Sequence, residues 1–413
     1  MSAITRCRGC SGDRLHPVLD LGLQPLANSL HRTPQEAREE ERHPLTLLVC
    51  QDCWLMQLGQ LVPPAKLFSE YVYFSSFSQR MLDHAAQASA RYIGEMQLGS
   101  DDFVLEIASN DGYMLRNFTA KGVPCLGVEP AENVARVARE AGVPTLGLFF
   151  TEETAVMIAQ SRGKADLILA NNVFAHVPDP HDFLEGISRL LAPDGMAVFE
   201  FPYGVDMVKR VEFDTIYHEH CFYFTLTALR PLLRSHGLEI FNVERLDIHG
   251  GSLRIFISHA GARLVQAAVD DLIREEIDAG VGSPDYYSGF SLSVRQVCDA
   301  LQKFMSESQK AGKSVAAYGA SAKGSTLLNC LGESARHVEF IVDRSTHKHG
   351  KLSPGLHLPI LNTDELLLRR PNFTILLAWN FAEEILRQQA EYLRQGGAFV
   401  LPLPEIKVLK EHK

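Results

Sequence analysis

The 413-residue chain has no apolar run near the ~20 residues that a membrane-spanning helix needs, so we expect no membrane partner. It has no long low-complexity tract, and its 46% hydrophobic and 22% charged residues indicate folded structure nearly throughout. It has no basic patch, and its formal net charge of -10 argues against a nucleic-acid partner. The first residues have no apolar signal-peptide core. We therefore expect a cytoplasmic protein of two or three domains.

Cysteine is infrequent, but four of the eight cysteines form two short pairs. Cys7-x-x-Cys10 and Cys50-x-x-Cys53 have the spacing of zinc knuckles, and in a reducing compartment thiolate ligands are expected rather than disulfides. Four sulfur ligands leave no open position for water, so the pairs predict a structural zinc site in a module covering residues 1–65. Chance clustering or a redox pair is the alternative.

An acidic turn follows the apolar run Phe103-Val104-Leu105. It reads Glu106-Ile107-Ala108-Ser109-Asn110-Asp111-Gly112, and fifteen residues after Gly112 comes Gly127-Val128-Glu129, the end of a second predicted strand. S-adenosylmethionine carries no phosphate, so its site needs backbone room rather than a glycine-rich anion cradle. A carboxylate such as Glu129 can accept both ribose hydroxyls. The pattern is typical of a Rossmann-like methyltransferase domain, with an ordinary α/β domain as the alternative.

Strand and helix patterns alternate from residue 103 to 200, after an amphipathic stretch from Gln79 to Met96, and predict a mostly parallel, doubly wound α/β sheet. A fourth strand runs into the polar segment 171–176, at the carboxyl edge where such sheets bind ligands. Strand candidates 238–246 and 252–258 should add an antiparallel pair, which completes a domain over residues 66–262. The predicted cofactor contacts are Glu106, Ala108, Asn110, Asp111, Gly112, Glu129, Asn171 and Asn172.

A second alternation predicts a C-terminal Rossmann-like α/β domain over residues 263–413. Lys313 to Tyr318 is a predicted strand, a small-residue loop from Gly319 opens a helix, and the strand 338–343 ends in an acid. Amides at the helix N-terminus, with Lys323 and Gly324, would suit a pyrophosphate, although the loop is not a Walker motif. We favour a nucleotide-sugar binding site that includes Tyr318. The alternative is a second Rossmann-like unit with a purely structural role.

The segment 214–224 is dense in titratable side chains and is the expected place of the reacting group. If it is extended, Tyr217 and Glu219 share one face and His218 and His220 the other; if it is irregular, Tyr217 and His220 can converge. His-Glu-His is also a conceivable metal pair, but no further ligand motif supports it.

Taken in order, these motifs resemble those of a known family. The four-cysteine module, the turn 106–112, Tyr-x-Glu-His, His-Gly-Gly-Ser-Leu-Arg and Tyr-Gly-Ala-x-x-Lys-Gly resemble the sugar C-3'-methyltransferases that build branched deoxysugars of antibiotics. The resemblance covers essentially the whole chain. It implies S-adenosylmethionine in the middle domain and a dTDP-linked 4-keto-deoxysugar between the middle and C-terminal domains. It also implies five catalytic residues, namely Tyr71, His176, Tyr217, Glu219 and His220.

The chemistry of that reaction explains these residue types. Removing a hydrogen beside a ketone requires a base and donors for the enolate oxygen. We predict His220 as the base, because imidazole titrates at about 6.5. Glu219 would orient it or hold the sugar, and Tyr217 would donate to the oxyanion, with these two roles interchangeable. His249 and Arg254 are lesser candidates for substrate contact.

Two other functions stay open at this stage. One is methylation of carbon, oxygen or nitrogen in another small metabolite, and the other is a non-catalytic, zinc-containing binding protein. An RNA methyltransferase with a zinc module is the least expected, given the acidity. The sequence leaves the identity of the sugar, the stereochemistry and the oligomeric state open.

Overall fold

A computed structural model describes residues 3–68, 74–248 and 250–411 of the chain. Two predicted site residues, Tyr71 and His249, lie outside the described residues. The described strands form sheets of four, seven and six strands. None of the described helices combines the length and the apolar character that crossing a bilayer requires. The predicted domain boundaries near residues 65 and 262 stay predictions.

The N-terminal region is a small antiparallel sheet with two short helices. β1 pairs with β2 and β2 with β3, and a strand from much later in the chain completes the sheet. The elements are β1 (Leu15–Pro25), α1 (Pro34–Arg38), β2 (Arg42–Cys50), β3 (Met56–Leu58) and α2 (Pro64–Phe68).

The middle region begins with the predicted amphipathic helix and continues as alternating strands and helices. Its elements are α3 (Gln79–Met96), β4 (Val104–Ile107), α4 (Leu115–Thr119), β5 (Cys125–Val128), α5 (Glu132–Glu140), β6 (Thr145–Leu146), α6 (Glu152–Arg162), β7 (Ala165–Asn171), α7 (Pro180–Leu190), β8 (Leu191–Pro202), α8 (Gly204–Lys209), β9 (Phe222–Tyr223), α9 (Leu226–Arg234), β10 (Leu238–Leu246) and β11 (Ser252–His259).

The seven-stranded sheet has the order β10-β11-β8-β7-β4-β5-β6. The five strands β4 to β8 are parallel. β11 lies antiparallel between β8 and β10, so the antiparallel pair predicted from the sequence is present. The strands β4 and β7 are buried apolar runs because helices cover both faces of a parallel sheet. Chain order reverses between β4 and β7, so a ligand crevice is expected at their carboxyl ends.

The C-terminal region opens with two helices and repeats the α/β alternation. Its elements are α10 (Ala267–Asp278), α11 (Pro284–Lys310), β12 (Val315–Tyr318), α12 (Ala322–Cys330), β13 (Val338–Asp343), β14 (Ile360–Asn362), α13 (Glu365–Arg369), β15 (Phe373–Leu376), α14 (Ala382–Gln388), α15 (Ala390–Arg394), β16 (Ala398–Leu401) and β17 (Lys407–Leu409).

The C-terminal sheet has the order β14-β13-β12-β15-β16-β17, with only β17 antiparallel to its neighbour. The second Rossmann-like unit predicted from the sequence is therefore confirmed. Its chain order reverses between β12 and β15. A second ligand crevice is therefore expected at the carboxyl ends of these two strands.

Candidate active site

The cofactor turn follows β4 and depends on left-handed backbone. Ala108 has φ 52°, Asn110 φ 51° and Gly112 φ 77°, a region that side chains other than glycine rarely adopt. At Gly112 space is also limiting, because a Cβ there would lie 2.9 Å from Val143 Cγ2. The turn is therefore tight where it meets α5 and the strand beyond it.

Two buried acids stand at the ends of β4 and β5. Glu129 accepts hydrogen bonds from the Asn110 amide at 3.0 Å and the Ala131 amide at 2.8 Å, and burial nevertheless raises its pKa. Burial and the neighbouring carboxylates, Asp111 first, raise the pKa of Glu106 well above its usual range. A ligand that carries positive charge and hydroxyl donors would stabilise the charged forms of both acids.

Several buried acceptor atoms at this edge have no hydrogen-bond partner among the described residues. They are Glu106 Oε2 on β4, Asp111 Oδ1 on the turn after β4, and Asn171 Oδ1 at the end of β7. Buried polar atoms are nearly always paired in native proteins, so these indicate a ligand. S-adenosylmethionine has an ammonium group, a sulfonium charge and ribose hydroxyls, and these residues fit it. Asn172 has φ 54°, and its amide donates to the Glu200 carbonyl at 2.7 Å.

The segment 214–224, predicted to carry the reacting group and called the catalytic segment for that reason, is irregular, so the second of the two predicted conformations is the observed one. A short 3-10 helix at 213–215 leads into a turn in which Tyr217 Oη lies 2.8 Å from His220 Nε2. His220 Nδ1 lies 2.9 Å from the Thr215 carbonyl oxygen, which can only accept. Neutral His220 therefore has its proton on Nδ1, and Nε2 accepts from the Tyr217 hydroxyl.

His176 lies beside this pair. Its ring centre is 4.8 Å from that of His220, with the two planes at 81°. Burial lowers the pKa of His176 to about 4, so the ring is neutral near pH 7. The Cys221 amide donates to the Ala175 carbonyl at 2.7 Å and ties the catalytic segment to the carboxyl edge of β7. His176 and His220 are thereby placed at the edge that carries the cofactor turn.

Glu219 points away from the imidazole of His220 and toward the N-terminal region. Its Oε1 accepts a 2.8 Å hydrogen bond from Asn28 Nδ2, in the loop between β1 and α1. Burial raises the pKa of Glu219 to about 7, and the Asn28 hydrogen bond acts in the opposite direction. No sequence pattern identified Asn28, because 191 residues separate it from its partner.

The catalytic segment also contacts the C-terminal region. Trp379 Nε1 donates to Asp214 Oδ2 at 2.7 Å, and Lys323 Nζ lies 4.7 Å from the centre of the Trp379 ring. Burial raises the pKa of Glu212 to about 8 and also raises that of Asp214, while Lys323 moderates both shifts. Lys323 thus lies close enough to the middle region to act on its acids, and its contact with the substrate stays a prediction.

The other predicted C-terminal residues are engaged within their own domain. The Ala320 amide donates to Asp343 Oδ2 at 2.8 Å, and the Gly324 amide to Ser321 Oγ at 3.1 Å. Gly324 also lacks space, because a Cβ would lie 2.7 Å from Leu377 Cβ. Tyr318 is buried in the core. Pyrophosphate binding at this loop stays a prediction. The bonds and the contact supply a structural reason for Gly324 and its loop, but not for the buried hydroxyl of Tyr318.

Arg254 is buried on β11, beside Glu200 on β8. Its guanidinium lies 2.7 Å from Glu200 and 3.3 Å from Glu244, and His84 Nε2 lies 2.8 Å from the second oxygen of Glu200. Removing either partner of such a buried pair leaves an uncompensated charge. A substrate contact by Arg254 therefore stays a prediction, and its observed partners are these acids.

The two cysteine pairs converge into one site. Cys7 Sγ lies 3.7 Å from Cys53 Sγ, Cys10 Sγ lies 3.6 Å from Cys50 Sγ, and all four sulfurs are within 4.8 Å of one another. A tetrahedral zinc with Zn–S bonds of about 2.3 Å requires sulfurs about 3.8 Å apart, so the cysteines fit the ion. Gln57 Nε2 donates to Cys7 Sγ at 3.0 Å and stabilises the thiolate.

The zinc-bearing sheet supports the catalytic segment directly. β9, which begins two residues after His220, pairs with β3, so that Gln57 is opposite Phe222 and Met56 opposite Tyr223. His218 Nε2 lies 3.3 Å from the carbonyls of His43 and Pro44 on β2. The N-terminal region is thus one wall of the candidate active site.

This fold, with its acidic strand ends, defines an S-adenosylmethionine-dependent methyltransferase. Family models match as zinc binding domain over residues 7–68, as methyltransferase domain over 78–243, and as C-methyltransferase C-terminal domain over 247–404. The C-methyltransferase NovU of Streptomyces niveus is 37% identical over 407 residues, which cover 98% of this chain and 97% of NovU. The chain therefore belongs to the C-methyltransferase family that includes NovU.

Two more distant relatives cover less than half of this chain. An uncharacterized methyltransferase of Mycobacterium leprae is 26% identical over 151 residues, 35% of this chain and 56% of that protein. The crystal structure of magnesium protoporphyrin IX methyltransferase from Synechocystis PCC 6803 with bound SAH has a TM-score of 0.35 and 13% identity. It covers 43% of this chain and 83% of that one.

Proposed function

We propose that this enzyme methylates C-3' of a dTDP-4-keto-deoxysugar, with His220 forming the enolate that accepts the methyl group. The supporting observation is the Tyr217–His220 pair, fixed by the Thr215 carbonyl at the edge of the cofactor sheet. Methylation of carbon, unlike that of oxygen or nitrogen, requires a carbon-bound proton to be removed. A positioned imidazole with an adjacent phenol suits this step.

His220 Nε2 is the atom that would take the proton, because Nδ1 already donates to Thr215. Tyr217 donates to Nε2 in the described conformation, and its hydroxyl would be the donor for a developing enolate oxygen. If the Tyr217 hydroxyl turns to the ketone oxygen, it stabilises the enolate and releases Nε2 to act as base. S-adenosylmethionine, when bound, supplies the electrophilic methyl group.

One of the two roles predicted for Glu219 was to orient His220. The Thr215 carbonyl already does this, because it accepts a hydrogen bond from His220 Nδ1. We therefore assign Glu219 the other role, accepting a hydrogen bond from the sugar. Neutral His176, edge-on to His220, would bound the sugar site beside the base. Asn28 would act through Glu219, as a positioning residue that favours the charged carboxylate.

A cleft between the middle and C-terminal regions suits the nucleotide part of the substrate. Its volume is about 590 Å³, and it lies at the carboxyl edge of the C-terminal sheet. Trp379 and Phe381 offer aromatic faces for a base, and arginines from both regions offer charge for a diphosphate. The arginines are Arg80, Arg210 and Arg387, and the acids Glu383 and Glu384 also line the cleft, so the arginines exceed the acids by one charge.

The test is incubation with S-adenosylmethionine and a dTDP-4-keto-6-deoxysugar, followed by NMR of the product. The proposal expects a carbon-bound methyl at C-3', and exchange of the C-3' hydrogen with solvent deuterium that wild-type enzyme catalyses and His220→Asn does not. A methyl on oxygen or nitrogen would instead support another small-metabolite methyltransferase. Failure to bind S-adenosylmethionine in calorimetry would support a non-catalytic binding protein.

A further inference from the structure

Three side chains of the types that bind metal ions meet at a second place, separate from the four cysteines. His31 follows β1, Glu40 follows α1, and His357 lies in the loop between β13 and β14. One ligand atom from each lies within 4.8 Å of the other two. His31 Nε2 is 2.8 Å from Glu40 Oε1, and His357 Nε2 is 3.4 Å from Glu40 Oε2. Neither the cofactor nor the structural zinc uses these residues.

We propose that His31, Glu40 and His357 bind a second divalent transition-metal ion. The two imidazole rings have centres 5.5 Å apart and planes at 81°. Two imidazoles bound at about 2.05 Å to one tetrahedral ion would have ring centres about 5.2 Å apart. The observed ring spacing is thus close to that value, while the 2.8 Å His31–Glu40 contact would lengthen to about 3.3 Å on binding an ion. Two histidines and one carboxylate form a ligand set that zinc and its first-row neighbours accept, with water in the fourth position.

The burial of the ligands favours an ion over plain hydrogen bonds. The side chains of His31 and Glu40 are 10% and 6% exposed, and that of His357 is 35% exposed. His357 Nε2 is buried yet makes no hydrogen bond within the described part of the chain, and its backbone has φ 55°, a strained value for histidine. This nitrogen faces Glu40 Oε2 at 3.4 Å without forming a hydrogen bond, and an ion between the two would give it a partner.

The surrounding groups are compatible with this assignment. The Gly355 amide donates to both oxygens of Glu40, at 2.9 and 3.1 Å, which is the outer hydrogen bonding that orients a metal-bound carboxylate. Arg42 is the cation nearest to Glu40 that the structure describes, at 3.9 Å. Its side chain is 45% exposed and donates to the Gly355 carbonyl, so solvent screens its repulsion of an ion.

The ion would join the N-terminal and C-terminal regions. Backbone hydrogen bonds of 3.0 and 2.8 Å already pair His31 with Leu352. The loop that ends at His31 also carries Asn28, the partner of Glu219. Metal binding would thus fix the loop that contacts the catalytic segment, although the metal site itself stands independently of any substrate assignment.

The experiment measures zinc in the full-length enzyme after incubation with excess zinc and desalting. We expect two zinc ions per chain in the wild type and one in Glu40→Gln and His357→Gln. His16→Gln, a half-buried histidine of the same N-terminal region, serves as the matched control and should keep two. Cobalt added to enzyme that holds zinc at the four cysteines should enter the proposed site and give weak visible ligand-field bands. No thiolate charge-transfer band should appear, because the proposed site has no cysteine.

One zinc per chain in the wild type, without cobalt bands, would overturn the proposal. A second zinc that both variants retain would overturn it equally, because the ion would then lie elsewhere. Anomalous scattering at the zinc edge from wild-type crystals needs no variant. A peak between His31, Glu40 and His357 is expected, and anomalous density confined to the cysteine site would refute the assignment.

Discussion

Asn28→Ala should impair the enzyme near neutral pH and leave it almost intact at alkaline pH. Asn28 Nδ2 donates to the buried carboxyl of Glu219 at 2.8 Å. Burial raises the pKa of Glu219 to about 7, and the Asn28 hydrogen bond opposes that rise by stabilising the charged form. If Glu219 accepts a hydrogen bond from the sugar as a carboxylate, activity is gained as pH rises through this pKa.

The size of the effect follows from the hydrogen bond. A bond to a charged group contributes about 1.5–3 kcal/mol, and about 1.4 kcal/mol corresponds to one pH unit, so the acidic inflection should move upward by at least about 1 pH unit. With the pKa of Glu219 moved from about 7 to about 8, the ionised fraction at pH 7 falls about fivefold. Well above pH 8 both enzymes are ionised and should have similar rates.

The assay is the pH dependence of kcat/KM, which reports groups of the free enzyme. Ser29→Ala, an exposed neighbour in the same loop, is the matched control and should keep the wild-type profile. The reasoning is refuted if Asn28→Ala has the wild-type inflection. It is also refuted if Asn28→Ala shifts the profile as much in a Glu219→Gln background, since the shift would then come from another group such as His220.

Three further predictions concern the base, the cofactor turn and the zinc. His220→Asn should retain S-adenosylmethionine binding in calorimetry and lose about 10²-fold in kcat. In Gly112→Ala the left-handed φ costs about 1–2 kcal/mol, and the added Cβ is too close to Val143. The melting temperature of this variant and its affinity for S-adenosylmethionine should therefore fall. Cys53→Ser should lose zinc in metal analysis and lose activity, because β3 of the zinc-bearing sheet supports β9 beside His220.

Each of these has a control within the chain. Gly122→Ala has a similar φ of 73° with no atom within 4 Å of the added Cβ, so equal effects of the two glycine variants would contradict crowding by Val143. Cys298→Ser changes a half-buried cysteine outside the zinc site and should keep zinc and activity. Wild-type turnover by His220→Asn would remove it as the base, and full activity of zinc-free Cys53→Ser would contradict the supporting role of that sheet.

The local elements of the fold could be predicted because their signals are local. The periodic apolar positions of 79–96 form one helix with the predicted bounds, and the strand 338–343 also has the predicted bounds. The acids Glu106 and Glu129 terminate parallel strands, so strand order alone brings them to one edge of the sheet. The paired cysteines likewise indicated a shared metal from spacing.

Interactions between distant segments could not be predicted in this way. Asn28 differs little from other polar residues in the sequence, yet it reaches Glu219. Arg254 belongs to a recognisable motif, but its partners Glu200 and Glu244 could not be read from that motif. The glycines of the loop at 319–324 indicated a ligand from their spacing, whereas the structure shows that packing against β15 and its following residues also requires them.

The sequence by itself determined the class of sheet, the cofactor edge and the zinc ligands, because periodicity and spacing act over one turn or one strand. The tertiary structure decided the irregular turn that joins Tyr217 to His220, the pairing of β9 with the zinc-bearing sheet, and the partners of each buried charge. Buried charges and backbone groups must find partners wherever packing brings them, and packing joins residues that no local pattern relates.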